Sequence, residues 1–502
     1  MKLNLRLFII TFCAILGYTI LYLLSNYALG PDGPDYLESA KAIKTLELLK
    51  VQNFKPLGYP IMIAVFSLIN SNVYILGSVV SIIATALLVF PVFYLAKEIF
   101  SEKIAYLSVV LTMLYPWVSR YSFQVMSEAT YLMILTSAIY LAWKTLNNGR
   151  LRDYFITSCV FGFAYLTRNE AILHGLLWFS LVIITSFIRG ERNKKLIFFR
   201  IILSLCGLIC LVFPYMFYLY VKTGQWLISP HVVNIAIDVV PDKSLTIVRN
   251  DFANICGVLF YNFKAIVFKY FRNIKQVFCI SLPKVLYIYL VPFAIWAVIK
   301  RNYIKHKDNG YIFLFVFFLT PILALPLVDI LSRYFISTVP IFIILVSAGL
   351  ENISKRWRKK FICSTIVILL ILTLRPTYIH LFPILPIYES EYKETGLWIR
   401  DNLPENAKLL TTVRVLDYYA QREYILVRKP GRWIPNESLN LKEILIIASD
   451  INQPCYLIIQ ERWKSKELEI LLNEENKHPY LKPVYVNDSY NGAKVIVYYV
   501  EK

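Results

Sequence analysis

Long apolar stretches separated by short basic loops occupy the first 380 residues of the chain. They lie near 7–24, 73–96, 104–118, 128–144, 154–167, 170–188, 201–220, 284–300, 311–328, 333–350 and 361–380. Each approaches the ~20 residues a helix needs to cross a bilayer. The pattern predicts a polytopic α-helical membrane protein with about eleven crossings. The run from Leu57 to Asn70 is too short to cross and reads as a re-entrant or surface helix. The first stretch lacks a small-residue cleavage site and is followed by many others, so it reads as a retained span rather than a signal peptide.

Basic clusters orient these spans. They are Lys2/Arg6, Lys97/Lys103, Lys144/Arg150/Arg152, Arg189/Arg192/Lys194/Lys195/Arg200, Lys300/Arg301/Lys305/Lys307 and Lys355/Arg356/Arg358/Lys359/Lys360. Placing all six on the cytoplasmic side lets the spans alternate without conflict, with the N-terminus inside and the C-terminus outside. Three regions then face outward. In the loop over 25–70, Tyr36, Leu37, Ala40, Ile43, Leu46 and Leu48/Leu49 recur at near-helical spacing, which predicts an amphipathic surface helix over Tyr36–Lys50. In the loop over 221–283, Phe263, Ile266, Val267, Tyr270, Phe271, Ile274, Val277 and Phe278 form an apolar face with Lys264, Lys269, Arg272 and Lys275 beside it. That is a basic interfacial helix: a membrane anchor, or a collar for lipid phosphates. The third region, 381–502, is richer in charge. It predicts a helix over Tyr388–Leu403 and strands at Ala407–Val413, Tyr424–Val427, Cys455–Ile459 and Ala493–Val500, with Lys442–Ala448 open between helix and strand. The expected organisation is a membrane domain over 1–380 and a small extracytoplasmic α/β domain over 381–502.

Composition agrees. The 502 residues are 57% hydrophobic and only 17% charged, with a mean hydropathy of +0.55, whereas soluble domains carry roughly 25% charged residues. The net charge of +20 does not point to nucleic acid, because much of the Lys and Arg lies in the short loops between spans. None of the eight Cys or five His falls at metal-ligand spacing. The chain has no Walker loop and no dinucleotide fingerprint, so no nucleotide cofactor is expected.

Candidate chemistry concentrates at the outer edges. The segment Gly30-Pro31-Asp32-Gly33-Pro34-Asp35 forces a turn just after the first span. Asp35 reads as the N-cap of the surface helix, whereas Asp32 has a weaker local explanation, a turn that Asn or Ser would serve as well. Lys55, ahead of Pro56-Leu57-Gly58-Tyr59-Pro60, places a compact cation at the membrane surface, suited to a phosphate or to snorkelling. Glu128 opens the fourth span, where the helix dipole favours an acid. Arg120, Arg168 and Glu170 occupy neighbouring outer loops. Arg333 opens a late span on the side where basic residues are scarce, and binds phosphate, pairs with Asp329 or anchors the span at the interface.

These residues resemble a known pattern. Asp32 is followed by Tyr36 and Ala40, then by Lys55-Pro56-Leu57-Gly58-Tyr59-Pro60, Ser127-Glu128, Leu166-Thr167-Arg168-Asn169-Glu170 and Arg333-Tyr334-Phe335. In this order and spacing the chain, over about 1–350, resembles the GT-C glycosyltransferases that use polyprenyl-phosphate sugars. It is most similar to the protein O-mannosyltransferases and the lipid A aminoarabinose transferase. Gly33 stands where the family often has an acid, and Leu57 where it has a second Pro; both leave the sugar open.

The resemblance implies a donor sugar on undecaprenyl or dolichyl phosphate and a protein, lipid or glycan acceptor. Asp32 would be the base, with Asp35 and Glu128 as secondary acids. Lys55, Arg333 and Arg168 would bind the donor phosphate, and Tyr36 and Tyr59 would shape the pocket. It further implies inversion at the anomeric carbon. No cofactor is expected; metal need differs across the superfamily, and the nearest members work without one. Membrane lipids are the remaining partners. Two rivals are a surface-polysaccharide ligase or polymerase and a lipid or solute transporter. A transporter would carry ionisable groups or broken helices near the bilayer midplane.

Overall fold

A computed structural model describes residues 5–24, 28–30, 32–52, 55–70, 72–188, 193–230, 262–300, 309–328, 330–353, 355–381, 390–412, 414–427, 439–461, 468–472, 478–488 and 494–501. Pro31, Asp329 and residues 231–261 of the 221–283 loop lie outside them, as does the proposed Arg333–Asp329 pair. Two compact units make up the structure. One holds Met1–Ile20, Tyr36–Pro241 and Asp251–Leu374; the other holds Leu21–Asp35, Asp242–Asn250 and Arg375–Lys502. The turn bearing Asp32 is thus grouped with the C-terminal part of the chain.

The first unit is helical. Its early elements are α1 (Leu5–Leu24), α2 (Gly33–Lys44), α3 (Gly58–Phe66), α4 (Val73–Leu87), α5 (Val89–Ile99), α6 (Glu102–Met113), α7 (Pro116–Tyr121), α8 (Glu128–Asn148), α9 (Leu151–Thr167), α10 (Ala171–Ile188) and α11 (Lys194–Thr223). After the undescribed segment come α12 (Phe263–Gln276), α13 (Leu282–Leu286), α14 (Val291–Ile299), α15 (Asn309–Ala324), α16 (Val339–Glu351) and α17 (Lys355–Leu381); α1, α2 and α17 are each divided between the two units. Local chemistry sets several boundaries. Asn72 and Asn193 accept hydrogen bonds from the Ile75 and Leu196 amides and so cap α4 and α11. Pro116 sits at the start of α7, where its missing N–H costs nothing.

The protein is an integral membrane protein, but with fewer evident crossings than expected. Among the described residues six helices are long and apolar enough to cross a membrane, or seven if one bent pair is counted as a span. Length is part of the reason. Where a span was expected over 104–118, α6 has only 12 residues, about 18 Å at 1.5 Å per residue, against a hydrocarbon core of ~30 Å. The stretch over 284–300 is not a straight span either. Phe263–Leu286 and Ile288–Ile299 meet at 79°, and Tyr287 at the break has φ 50°.

The surface helix also differs from the sequence pattern. It ends at Lys44, not Lys50. Leu46 turns left-handed with φ 60°, and the amides of Leu46 and Glu47 donate back to the carbonyls of Ile43 and Ala42. These bonds satisfy the last turn's carbonyls and close the helix; a separate 3-10 turn follows at Leu48–Lys50. In α12 the aromatic residues Phe263, Phe268 and Phe271 are exposed, as a lipid-facing stripe requires, but Lys269 and Asn273 are buried. Its polar side is therefore partly a packing face, where Asn273 donates to the Pro326 carbonyl.

The second unit contains a five-stranded sheet in the order β2-β1-β3-β5-β4. The strands are β1 (Lys408–Thr411), β2 (Glu423–Leu426), β3 (Cys455–Gln460), β4 (Leu481–Asn487) and β5 (Val495–Val500). β1 pairs in parallel with both β2 and β3, and β5 lies antiparallel between β3 and β4. Three helices accompany them: α18 (Ser390–Asn402), α19 (Arg414–Ala420) between β1 and β2, and α20 (Leu441–Ser449) between β2 and β3. Leu410, Leu457, Ile459, Ile496 and Tyr498 pack with Ile444 and Ala448 of α20 in one apolar core. The segment left open between helix and strand is a helix. Asn440 accepts from the Glu443 amide and Glu443 accepts from the Asn440 amide, each at 2.8 Å, a reciprocal cap.

Candidate active site

The helical unit gathers the basic and acidic motifs into one continuous cluster. Its centre is Arg168, the residue after α9. Arg168 Nη1 lies 2.7 Å from Glu128 Oε1, and Arg168 Nε lies 2.5 Å from Glu170 Oε1. The Arg168 and Glu128 side chains are only 9% and 1% exposed, so this is an interior ion cluster rather than a solvated surface pair. Each charge suits its helix: Glu128 opens α8 and Arg168 closes α9, so both macrodipoles favour it. Burial opposes the Arg168 charge, but the carboxylates of Glu170 and Glu128 outweigh it and hold the guanidinium protonated more firmly than usual.

Two tyrosine rings lie near the same guanidinium. It lies 5.7 Å from the Tyr131 ring centroid and 5.4 Å from that of Tyr334. Arg333 lies 5.8 Å from the same Tyr334 ring. Arg168 and Arg333, far apart in sequence, are thus brought to one aromatic ring. Tyr121 is close enough to feel the group electrostatically. Burial pushes its hydroxyl up to about 12; Glu128 adds to the rise and Arg120, Arg333 and Arg168 oppose it.

Ser127 joins this cluster to the first-loop motif. Ser127 Oγ and Tyr36 Oη share a hydrogen bond at 3.1 Å. The Tyr36 ring meets Tyr59 edge-on at 5.2 Å, and Lys55 Nζ lies 6.0 Å from the Tyr36 centroid. Lys55 is buried, which is costly for an ammonium unless something compensates it. The local packing explains its position. A Cβ on Gly58 would come within 2.7 Å of the Leu166 carbonyl carbon, so only glycine lets the start of α3 lie against the end of α9 beside Arg168.

Not every candidate has the expected place. Tyr59 Oη donates to the Gly77 carbonyl at 2.8 Å and lies 2.9 Å from Ser81 Oγ, so its hydroxyl braces α3 against α4. Asp35 does not precede its helix. Because α2 begins at Gly33, Asp35 lies in the first turn and Asp32 occupies the position just before the helix. Pro34 accounts for the shift, since its fixed φ and missing N–H suit a first turn. Asp32 is buried, in the unit that carries the C-terminal sheet. Tyr131 was not singled out from the sequence, although it lies three residues beyond Glu128 and thus on the same helix face. Among the described residues no three His, Cys, Asp or Glu side chains gather as metal ligands would.

Residues 54–218 match the family model of dolichyl-phosphate-mannose-protein mannosyltransferases. No curated protein matches the chain by sequence. Among solved structures, ArnT from Cupriavidus metallidurans in the apo state superposes with a TM-score of 0.61 at 10% identity, covering 97% of each chain. The same protein bound to undecaprenyl phosphate gives 0.61 at 11% identity, covering 99% of this chain and 98% of that one. The oligosaccharyltransferase AglB from Archaeoglobus fulgidus, in complex with an inhibitory peptide and a dolichol-phosphate, gives 0.58 at 12% identity, covering 99% and 74%. The chain therefore has the GT-C glycosyltransferase fold, and over residues 54–218 it is similar to the dolichyl-phosphate-mannose-protein mannosyltransferases.

Proposed function

We propose that this protein is a membrane glycosyltransferase that moves a sugar from a polyprenyl-phosphate donor to an acceptor hydroxyl at the outer face of the membrane. The observation that carries the reading is the gathering of Lys55, Arg168 and Arg333 around Tyr36, Ser127, Glu128 and Tyr334. Three cations from distant parts of the chain suit a lipid phosphate better than a neutral solute. The ArnT structure with undecaprenyl phosphate and the AglB structure with dolichol-phosphate give the same donor chemistry a precedent in this fold.

Asp32 is the base in this reading. It accepts the proton of the acceptor hydroxyl as that oxygen bonds to the anomeric carbon. The bond from that carbon to the phosphate oxygen breaks, and polyprenyl phosphate departs with the electron pair. Attack opposite the leaving group inverts the anomeric centre. Lys55 and Arg333 stabilise the phosphate as its charge develops. Arg168, already bridging two carboxylates, adds positive field and fixes the cluster rather than acting as the main phosphate ligand.

Purified protein supplied with a panel of polyprenyl-phosphate sugars, with release of polyprenyl phosphate as the readout, tests the proposal. A consumed donor, with turnover reduced roughly 100-fold or more in Asp32→Asn, is the expected result. No consumption of any donor, or full turnover in the variant, overturns it.

A further inference from the structure

The turn that carries Asp32 is tied to the C-terminal sheet unit, not only to the helices on either side of it. The Leu29 amide donates to Tyr419 Oη at 2.9 Å, across 390 residues of sequence. Tyr419 lies on α19, the helix between the parallel strands β1 and β2. A Cβ on Gly396 would sit 2.6 Å from Tyr419 Cβ, so α18 presses against the base of this side chain. Leu29 in turn fixes the turn. It is fully buried, and its Cδ2 would lie 2.9 Å from a Cβ on Gly33, so its side chain packs onto the first residue of α2. The Gly33 amide donates to the Gly30 carbonyl at 2.9 Å, closing a tight turn with Asp32 inside it. One end of that turn is therefore clamped by Tyr419 and the other by α2.

We infer that Tyr419 is a positioning residue, and that the C-terminal unit sets the placement of the Asp32 carboxylate. This rests on the reading of Asp32 as the base. A buried amide needs its acceptor. Without the tyrosine hydroxyl the Leu29 amide loses this acceptor and shifts, and the adjoining turn that holds Asp32 moves with it. A base must sit within hydrogen-bond reach of the proton it takes, so small displacements act on turnover rather than on donor affinity.

The test uses the full chain and Tyr419→Phe, with two readouts. Hydrogen exchange of the peptide containing Leu29 should accelerate, while peptides from β3 and β5 keep their protection and report an intact sheet. With a donor that the unaltered protein consumes, kcat should fall by roughly 10- to 100-fold while the donor KM stays within about twofold. Unchanged exchange at Leu29, or unchanged kcat with accelerated exchange, overturns the inference. Asp32→Asn measured alongside separates the two ideas: full turnover there removes the base assignment, and unchanged exchange in Tyr419→Phe removes the clamp whatever Asp32 does.

Discussion

Arg168 Nη1 lies 2.7 Å from Glu128 Oε1, an ion pair that ties the end of α9 to the start of α8 in a nearly water-free setting. The pair is completed by Glu170 on the other edge of the same guanidinium. A planar fork can serve two carboxylates at once, whereas an ammonium is a single point of charge.

Replacing Arg168 should therefore cost stability even when charge is kept. Arg168→Met strands the buried Glu128 carboxylate and leaves the half-buried Glu170 without this cation, and should destabilise by about 3–5 kcal/mol. Arg168→Lys should recover only part of this loss. Thermal unfolding of the detergent-purified protein measures both, and a lysine variant as stable as the parent would show that the two-sided bridge contributes little.

Lys55 and Arg333 should behave differently. Their removal is expected to weaken donor handling, because a charge-assisted hydrogen bond contributes about 1.5–3 kcal/mol. Lys55→Ala and Arg333→Ala should each raise the donor KM or lower kcat/KM by roughly 10- to 100-fold. Competition by undecaprenyl phosphate alone should weaken in parallel. Wild-type inhibition by the lipid phosphate in both variants argues against phosphate contacts at these positions.

Asp35 and Asp32 differ by three positions and should differ in consequence. Asp35→Asn retains a polar group in the first turn of α2 and should lose at most about 1 kcal/mol of stability through the helix dipole. Its turnover should stay within about threefold of the parent, against a loss of roughly 100-fold or more in Asp32→Asn. Equal losses in the two variants would mean that the carboxylates work together.

Gly58→Ala is a packing test with an internal control. The added methyl would meet the backbone of Leu166, which cannot rotate away, so α3 must lift from α9 and carry Lys55 with it. A loss of about 1–3 kcal/mol is expected, with reduced activity. Gly17→Ala, which meets nothing within 4 Å, should be neutral or slightly stabilising. Thermal unfolding of both variants measures the α3–α9 approach, and equal stability of the two would show that it has room for a methyl group.

Much of the fold was legible because apolar periodicity is strong. The first span, the short helix at 58–66 and strands β1, β2, β3 and β5 all appear near their expected positions. The misses have local causes. β4 contains Pro483, which argues against a strand, yet the strand lies at the sheet edge and bulges between Pro483 and Tyr485, where a missing amide is tolerated. The helix over 441–449 was announced by Asn440 and Glu443, a capping spacing that outweighs its β-branched residues. The candidate site was legible as residue types but not as partners. Arg168 and Glu170 are two residues apart and could be paired by inspection; Glu128 joins them only through the packing of α8 on α9.

The hydrogen bond from Leu29 to Tyr419 also bears on biogenesis. Its two ends are made 390 residues apart, so at ribosomal rates of 5–20 residues per second they are separated by roughly 20–80 s of synthesis. Through that interval the early helices can insert and pack, while the turn bearing Asp32 lacks its anchor. The last-made part of the chain then completes the first-made loop, so an interrupted chain would enter the membrane without a finished turn.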